Sequence, residues 1–171
     1  MTAFAALAAL AVSSSTASAG ILVASAPSCD DQPLSQPFTP WLDYMSYTPL
    51  PGGAFESGAP GWSRSGRASI ASGNSPFGAG DRSLALDSGA SATSAAICVG
   101  INHPTIRFFA KRRSTGLLAG LSTVRVDVLF ELSTGTVVSL PIGLVLGNGS
   151  WQPMLPMLAV ANLLPLLPGE H

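Results

Sequence analysis

An all-β fold, two antiparallel sheets packed as a sandwich, is the architecture this 171-residue sequence predicts. Three observations carry it. Residues 124–132 alternate strictly, with Val124, Val126, Val128, Phe130 and Leu132 on one face and Arg125, Asp127, Leu129 and Glu131 on the other. That period of two marks a half-buried strand. The 18 glycines and 14 prolines are spread along the chain, which disfavours long helices and supplies turns. Short apolar runs lie between those turn signals, as the strands of a sandwich do.

Composition narrows the function classes. Apolar residues make up 47% of the chain and charged ones 10%, the opposite of a disordered composition. Eight basic residues face nine acidic ones, so no basic surface for nucleic acid is expected. The length suffices for one domain with a core.

In chain order, residues 1–19 read as an export signal. Ala3 to Val12 is a continuous apolar run, and Ala17-Ser18-Ala19 offers a small-residue cleavage site that leaves Gly20 as the new N-terminus. No Lys or Arg precedes the run, which departs from the usual signal. The run is too short to span a bilayer. The chain is therefore expected to be secreted, without a transmembrane segment. Cys29 and Cys98 are its two cysteines, and both follow the cleavage motif. An even count in an exported chain predicts a disulfide, with two buried free thiols as the other reading.

Residues 20–50 form a proline-punctuated arm, with Pro27, Pro33, Pro37, Pro40 and Pro49 preventing a continuous helix. Trp41, Tyr44 and Tyr47 recur every third residue there. They can seal a core or sheet edge, or offer ring faces to the C–H faces of sugars. Residues 51–171 form the sandwich. Its opening stretch, P-G-G-A-F-E-S-G-A-P-G-W, combines turn glycines with Phe55 and Trp62, which plug a core, and with Glu56. A carboxylate at Glu56 can accept backbone N–H bonds, bind a hard cation, or face solvent.

Strands are expected over Ala68–Ala71, Ser83–Leu86, Ser94–Val99, Thr105–Ala110, Val124–Leu132, Thr136–Leu140 and Gly143–Leu146. Turns are expected at Asp87-Ser88-Gly89, Asn102-His103-Pro104, Ser133-Thr134-Gly135 and Gly147-Asn148-Gly149-Ser150. Gly73 to Gly80 is a loop, and Pro141 marks an edge or a break. Lys111-Arg112-Arg113 is read as a solvated turn rather than a polyanion site. Arg125, Asp127 and Glu131 are read as cross-strand charge partners or one wall of a polar groove. Met157–Leu164 is expected to be one short segment packed on the core.

F-E-x-G-x-x-G-W (Phe55 to Trp62) followed by G-x-A-S-I (Gly66 to Ile70) resembles the opening of carbohydrate-binding modules of the galactose-binding-like jelly-roll type. The longer set of Cys29, P-G-G-A-F-E, S-L-A-L (Ser83 to Leu86), C-V (Cys98, Val99), R-F-F-A (Arg107 to Ala110), L-P-I-G (Leu140 to Gly143) and W-Q-P-M (Trp151 to Met154) resembles a family of secreted bacterial proteins of unknown function. The resemblance implies a jelly-roll sandwich, a structural calcium near Glu56, and a polysaccharide or cell-surface glycan as partner, with Trp41, Tyr44 and Tyr47 as the aromatic candidates. That family continues into two further strands with paired aspartates, whereas this chain ends at Gly169-Glu170-His171. The comparison therefore implies a sandwich lacking its closing C-terminal strands and a calcium site short of one ligand.

No catalytic constellation emerges. His103 precedes a proline and His171 is terminal. There is no nucleophile elbow, zinc-protease motif or phosphate loop. The expectation is a secreted, non-catalytic module resembling carbohydrate-binding modules. The alternative is a cell-surface structural or interaction protein without sugar affinity. A glycoside hydrolase, which needs two carboxylates across one groove, ranks third.

Overall fold

The structure, a computed structural model, describes residues 20–30, 32–73, 80–114 and 119–167. The leader and its cleavage motif, loop residues 74–79, the end of the basic turn at Gly116 and the chain end at 169–171 lie outside the described residues. What is described is an all-β fold of short antiparallel strands. Its α-helix is the five-residue α1 (Ile21–Ser25), and no described helix is long and apolar enough to cross a membrane.

The strands close as nested hairpins. In the first nest, β1 (Ser63–Ser65), β2 (Ala68–Ser72), β3 (Arg82–Leu86) and β4 (Ser91–Thr93) pair as an inner β2–β3 ladder and an outer β1–β4 ladder. The second nest is built from β5 (Thr105–Ile106), β6 (Phe109–Ala110), β7 (Thr123–Glu131), β8 (Val137–Leu146), β9 (Gln152–Pro153) and β10 (Met157–Leu158). Here β7–β8 is innermost, β6–β9 lies outside it and β5–β10 is outermost. The result is five two-stranded antiparallel sheets.

The period-two stretch forms β7, the longest ladder with β8. Gly135 takes φ +80 in the turn, a conformation that favours glycine, and its N–H donates to Leu132 O at 2.8 Å. Val126 pairs with Gly143 and Asp127 with Pro141, so Ile142 is an extra residue on β8, a β-bulge. Proline cannot donate to a ladder. Pro141 is accommodated at this bulge, so 137–146 runs as one strand rather than the two expected on either side of Pro141. Met157 of β10 packs on β8 at Gly143, where an added side-chain carbon would lie 2.5 Å from its sulfur.

Three further expectations are corrected. Residues 94–99 are not a strand; β4 ends at Thr93, opposite Ser63. Before Ser63, Gly61 takes a left-handed φ of +79 and still lies against Ala95, so closely that a side-chain carbon on it would meet Ala95 Cβ at 2.9 Å. The left-handed backbone at Gly61 interrupts the extended run opposite residue 95, and the ladder stops at the Ser63–Thr93 pair. Residues 105–110 divide into β5 and β6 because Arg107 and Phe108 face three residues, 154–156, across the gap. Pro156 among them has no N–H to give. The 157–164 segment likewise divides, into β10 and a 3-10 turn over Ala161–Leu166. That turn buries Ala161 and Asn162 and holds Ile101 O through Asn162 Nδ2 at 3.4 Å.

Phe38, Ala59, Ala85, Val145, Ala159 and Ala161 are the buried apolar residues described, and none of the large side chains among them is fully enclosed. A core made mostly of alanines contributes little burial energy. Crosslinks carry correspondingly more of the fold. Cys29 and Cys98 form a disulfide with Cα atoms 5.2 Å apart, and Gln32 Nε2 donates to Cys98 O at 2.9 Å. Phe55 and Trp62 stack edge to face at 5.0 Å, and the Trp62 indole donates to Pro51 O at 2.8 Å.

Because the disulfide spans 69 residues, Cys98→Ser is expected to lower unfolding free energy by about 4 kcal/mol on the chain-entropy account. Urea denaturation of both forms measures this, and the intact mass of the non-reduced protein should sit two hydrogen atoms below that of the reduced form.

Candidate functional site

The arm loops out between Ser35 and Tyr47, whose backbones exchange N–H···O bonds of 2.9 and 2.8 Å. Within the loop, Pro40 starts a 3-10 turn (Thr39–Trp41) that ends where Leu42 takes a left-handed φ of 61. This turn points Phe38 inward, at 4% exposure, and Trp41 outward, at 42%. Phe38 stacks on Phe109 of β6 at 5.0 Å, and Tyr47 meets Phe38 edge-on at 4.9 Å. Trp41 meets Phe109 edge-on at 5.0 Å.

Arg107 locks this cluster. Its guanidinium lies 4.7 Å from the Phe38 ring centre, a cation–π contact. Its Nε donates to Met154 O at 2.7 Å, and its Nη1 pairs with Asp43 Oδ2. Asp43 Oδ2 also accepts from the Tyr47 hydroxyl at 2.7 Å, and Oδ1 from Met45 N at 3.0 Å. The Tyr47 hydroxyl bond first, then the Met45 amide and the Arg107 guanidinium, hold the Asp43 carboxyl below its ordinary value. Burial, then the Asp43 bond, push the Tyr47 phenol above its own.

The structure therefore brings Trp41 and Tyr47 into one cluster in different roles. Tyr47 packs with ring and hydroxyl engaged, while Trp41 is fixed on one side and open on the other. Tyr44 lies at 63% exposure beside Met45 at 61%, its carbonyl held by Gln36 Nε2 at 2.7 Å. Asp43, Phe38 and Arg107 were not singled out from sequence as site residues. The available local signal was the Asp43/Tyr47 spacing of four; Arg107 stands 64 residues away.

Glu56 sits elsewhere. Its Oε1 accepts from Asp81 N and Arg82 N, both at 2.9 Å, joining the 51–62 loop to the start of β3. Gly80 lets the carboxylate in, because a side-chain carbon there would overlap it. Asp81 Oδ1 is itself bound by Gly73 N at 2.8 Å. Calcium takes six to eight oxygens, and among the described residues no group of three or more His, Cys, Asp or Glu gathers to hold a metal. The residues around Glu56 fit a backbone clasp; they do not by themselves make a calcium site.

The three charges of β7 take separate roles. Arg125 Nη2 pairs with Asp127 Oδ2 at 2.9 Å along one strand rather than across two. Glu131 is buried against α1, so the expected cross-strand pairing is corrected. In the basic turn, Lys111 and Arg113 are exposed and Arg112 is half-buried. Comparison with protein-family models, curated proteins and solved structures found no match for this chain.

A lowered Asp43 pKa gives stability that is present above the unfolded carboxyl value of 3.8 and lost as pH falls through the folded value. Melting followed across the acid range should therefore fall less steeply in Asp43→Asn than in the parent. At Glu56, Glu56→Ala should cost about 1 kcal/mol and Glu56→Gln less, since the amide oxygen still accepts. A calcium-dependent rise in the parent's melting point that chelator reverses would add cation binding to the clasp.

Proposed function

We propose that this chain is an exported, non-catalytic binding module, similar to carbohydrate-binding modules, that presents the Trp41–Tyr44 face of its arm to glycans. The observation that carries the reading is the mounting of Trp41, held edge-on to Phe109 at 5.0 Å while 42% of the residue is exposed. An aromatic ring already fixed on one side loses little freedom when a ligand stacks on the other. Tyr44 adds a second exposed ring three residues along. The jelly-roll arrangement of the ladders belongs to the same proposal.

A second reading is a cell-surface interaction protein with no sugar affinity. Leu34, Leu42 and Met45 on the same arm are exposed by 65%, 80% and 61%, and aliphatic groups of that kind suit a protein partner as well as a glycan. A glycan array separates the two. Retention of a glycan class by the parent and its loss in Trp41→Ala, with cooperative melting retained and only slightly lowered by the lost Phe109 contact, is the expected result. An array silent for the parent removes the glycan reading and leaves the second.

A further inference from the structure

Glu131 closes β7 with 7% exposure. Its Oε2 accepts from Leu22 N at 2.7 Å and Val23 N at 3.2 Å, both in α1. A buried carboxylate is costly unless a positive charge answers it. All eight Lys and Arg of the chain lie among the described residues. Their ion pairs join Arg67 to Asp87, Arg107 to Asp43 and Arg125 to Asp127, and none reaches Glu131.

The carboxylate lies directly against Gly20. A side-chain carbon built on Gly20 would overlap Oε1 and the carboxyl carbon and would lie 2.6 Å from Oε2. The Gly20 nitrogen is one bond from that same α-carbon, about 1.5 Å away. Gly20 is also the residue that becomes first when the chain is cut after Ala17-Ser18-Ala19.

We propose that removal of the leader creates the cation that Glu131 lacks. A peptidase of the signal-processing class adds one water across the Ala19–Gly20 peptide bond. The carboxylate stays on the departing leader, and the Gly20 amine takes a proton from solvent. The resulting α-ammonium pairs with Glu131 and fastens the arm to the end of the β7–β8 hairpin. Two independent observations meet at one residue: a small-residue cleavage motif that ends at Ala19, and a buried carboxylate without a basic side chain that touches Gly20. Glycine at this position leaves the carboxylate its place, which any side chain would take. The inference rests on the export reading, and the tests separate the two.

N-terminal sequencing of the exported protein should begin at Gly20; another start overturns the ion pair while leaving export intact, and retention of the chain in the cell overturns the export reading. The mature chain is then compared with its Nα-acetylated form and with the full precursor. The free amine should raise the melting temperature by about 2–4 °C over either, and Glu131→Gln should abolish that difference. Equal melting of the free and acetylated chains, or a difference that survives Glu131→Gln, overturns the ion pair while leaving export intact. Should Glu131→Gln fail to fold, acylation of the Gly20 amine decides. It should run about tenfold slower in the native mature chain than in the same chain unfolded in denaturant, and equal rates overturn the pairing.

Discussion

Arg107 occupies the gap between β5 and β6, and its guanidinium has three partners, two in the arm and one beyond β9. It pairs with Asp43 in the arm, lies over the Phe38 ring, and donates to the Met154 carbonyl beyond β9. The side chain is 8% exposed and that of Asp43 13%. A pair withdrawn from water to that extent is tolerated only when its remaining donors and acceptors are satisfied, and the Tyr47 hydroxyl and Met45 amide complete the set. The orientation of the arm, and with it the outward face of Trp41, depends on this arrangement.

The dependence on polar pins follows from the composition of the interior. Alanines dominate the buried apolar residues, and large ones such as Leu144, Leu146 and Leu158 stand 64–70% exposed. Burial supplies roughly 25 cal/mol per Å² of apolar surface, so small side chains leave much of the cohesion to other terms. Those terms recur along the chain: the Cys29–Cys98 bond, the Glu56 clasp, the Trp62 indole on Pro51 O, and Glu131 against α1. The disulfide, the Glu56 clasp and the Glu131 bonds join segments distant in sequence, and the disulfide also restricts the unfolded chain.

The features readable in the sequence were those with a local signature. Strand β7 showed a period of two, the Ser133-Thr134-Gly135 turn carried its glycine, and the cysteines paired by count. Features that depend on what lies opposite were not readable. Residues 94–99 are as apolar as a strand, yet the segment opposite leaves extended backbone at Gly61. Pro141 looks like a stop, yet a bulge accommodates it. Two of the three proposed aromatics do share a cluster, but its anchor, Arg107, is joined to Asp43 across 64 residues. Glu56 was legible as an acceptor of backbone N–H groups, while its partners near β3 were not.

The nesting of the ladders bears on how the chain assembles. Ile106 and Met157 pair across 51 residues of sequence, as the register gives (157 less 106). Taken alone, that separation would mark a slow, non-local contact. The β7–β8 hairpin closes through a tight turn, however, and once it stands, β6 and β9 are brought near one another, followed by β5 and β10. Each step then closes a loop far shorter than the sequence distance, and closure entropy depends on the free chain between ends rather than on residue numbers. The topology of the second nest thus permits closure from Gly135 outward, each ladder shortening the loop that the next must close, and the aromatic cluster sits at its outer end, where Phe109 and Arg107 lie in and beside β6.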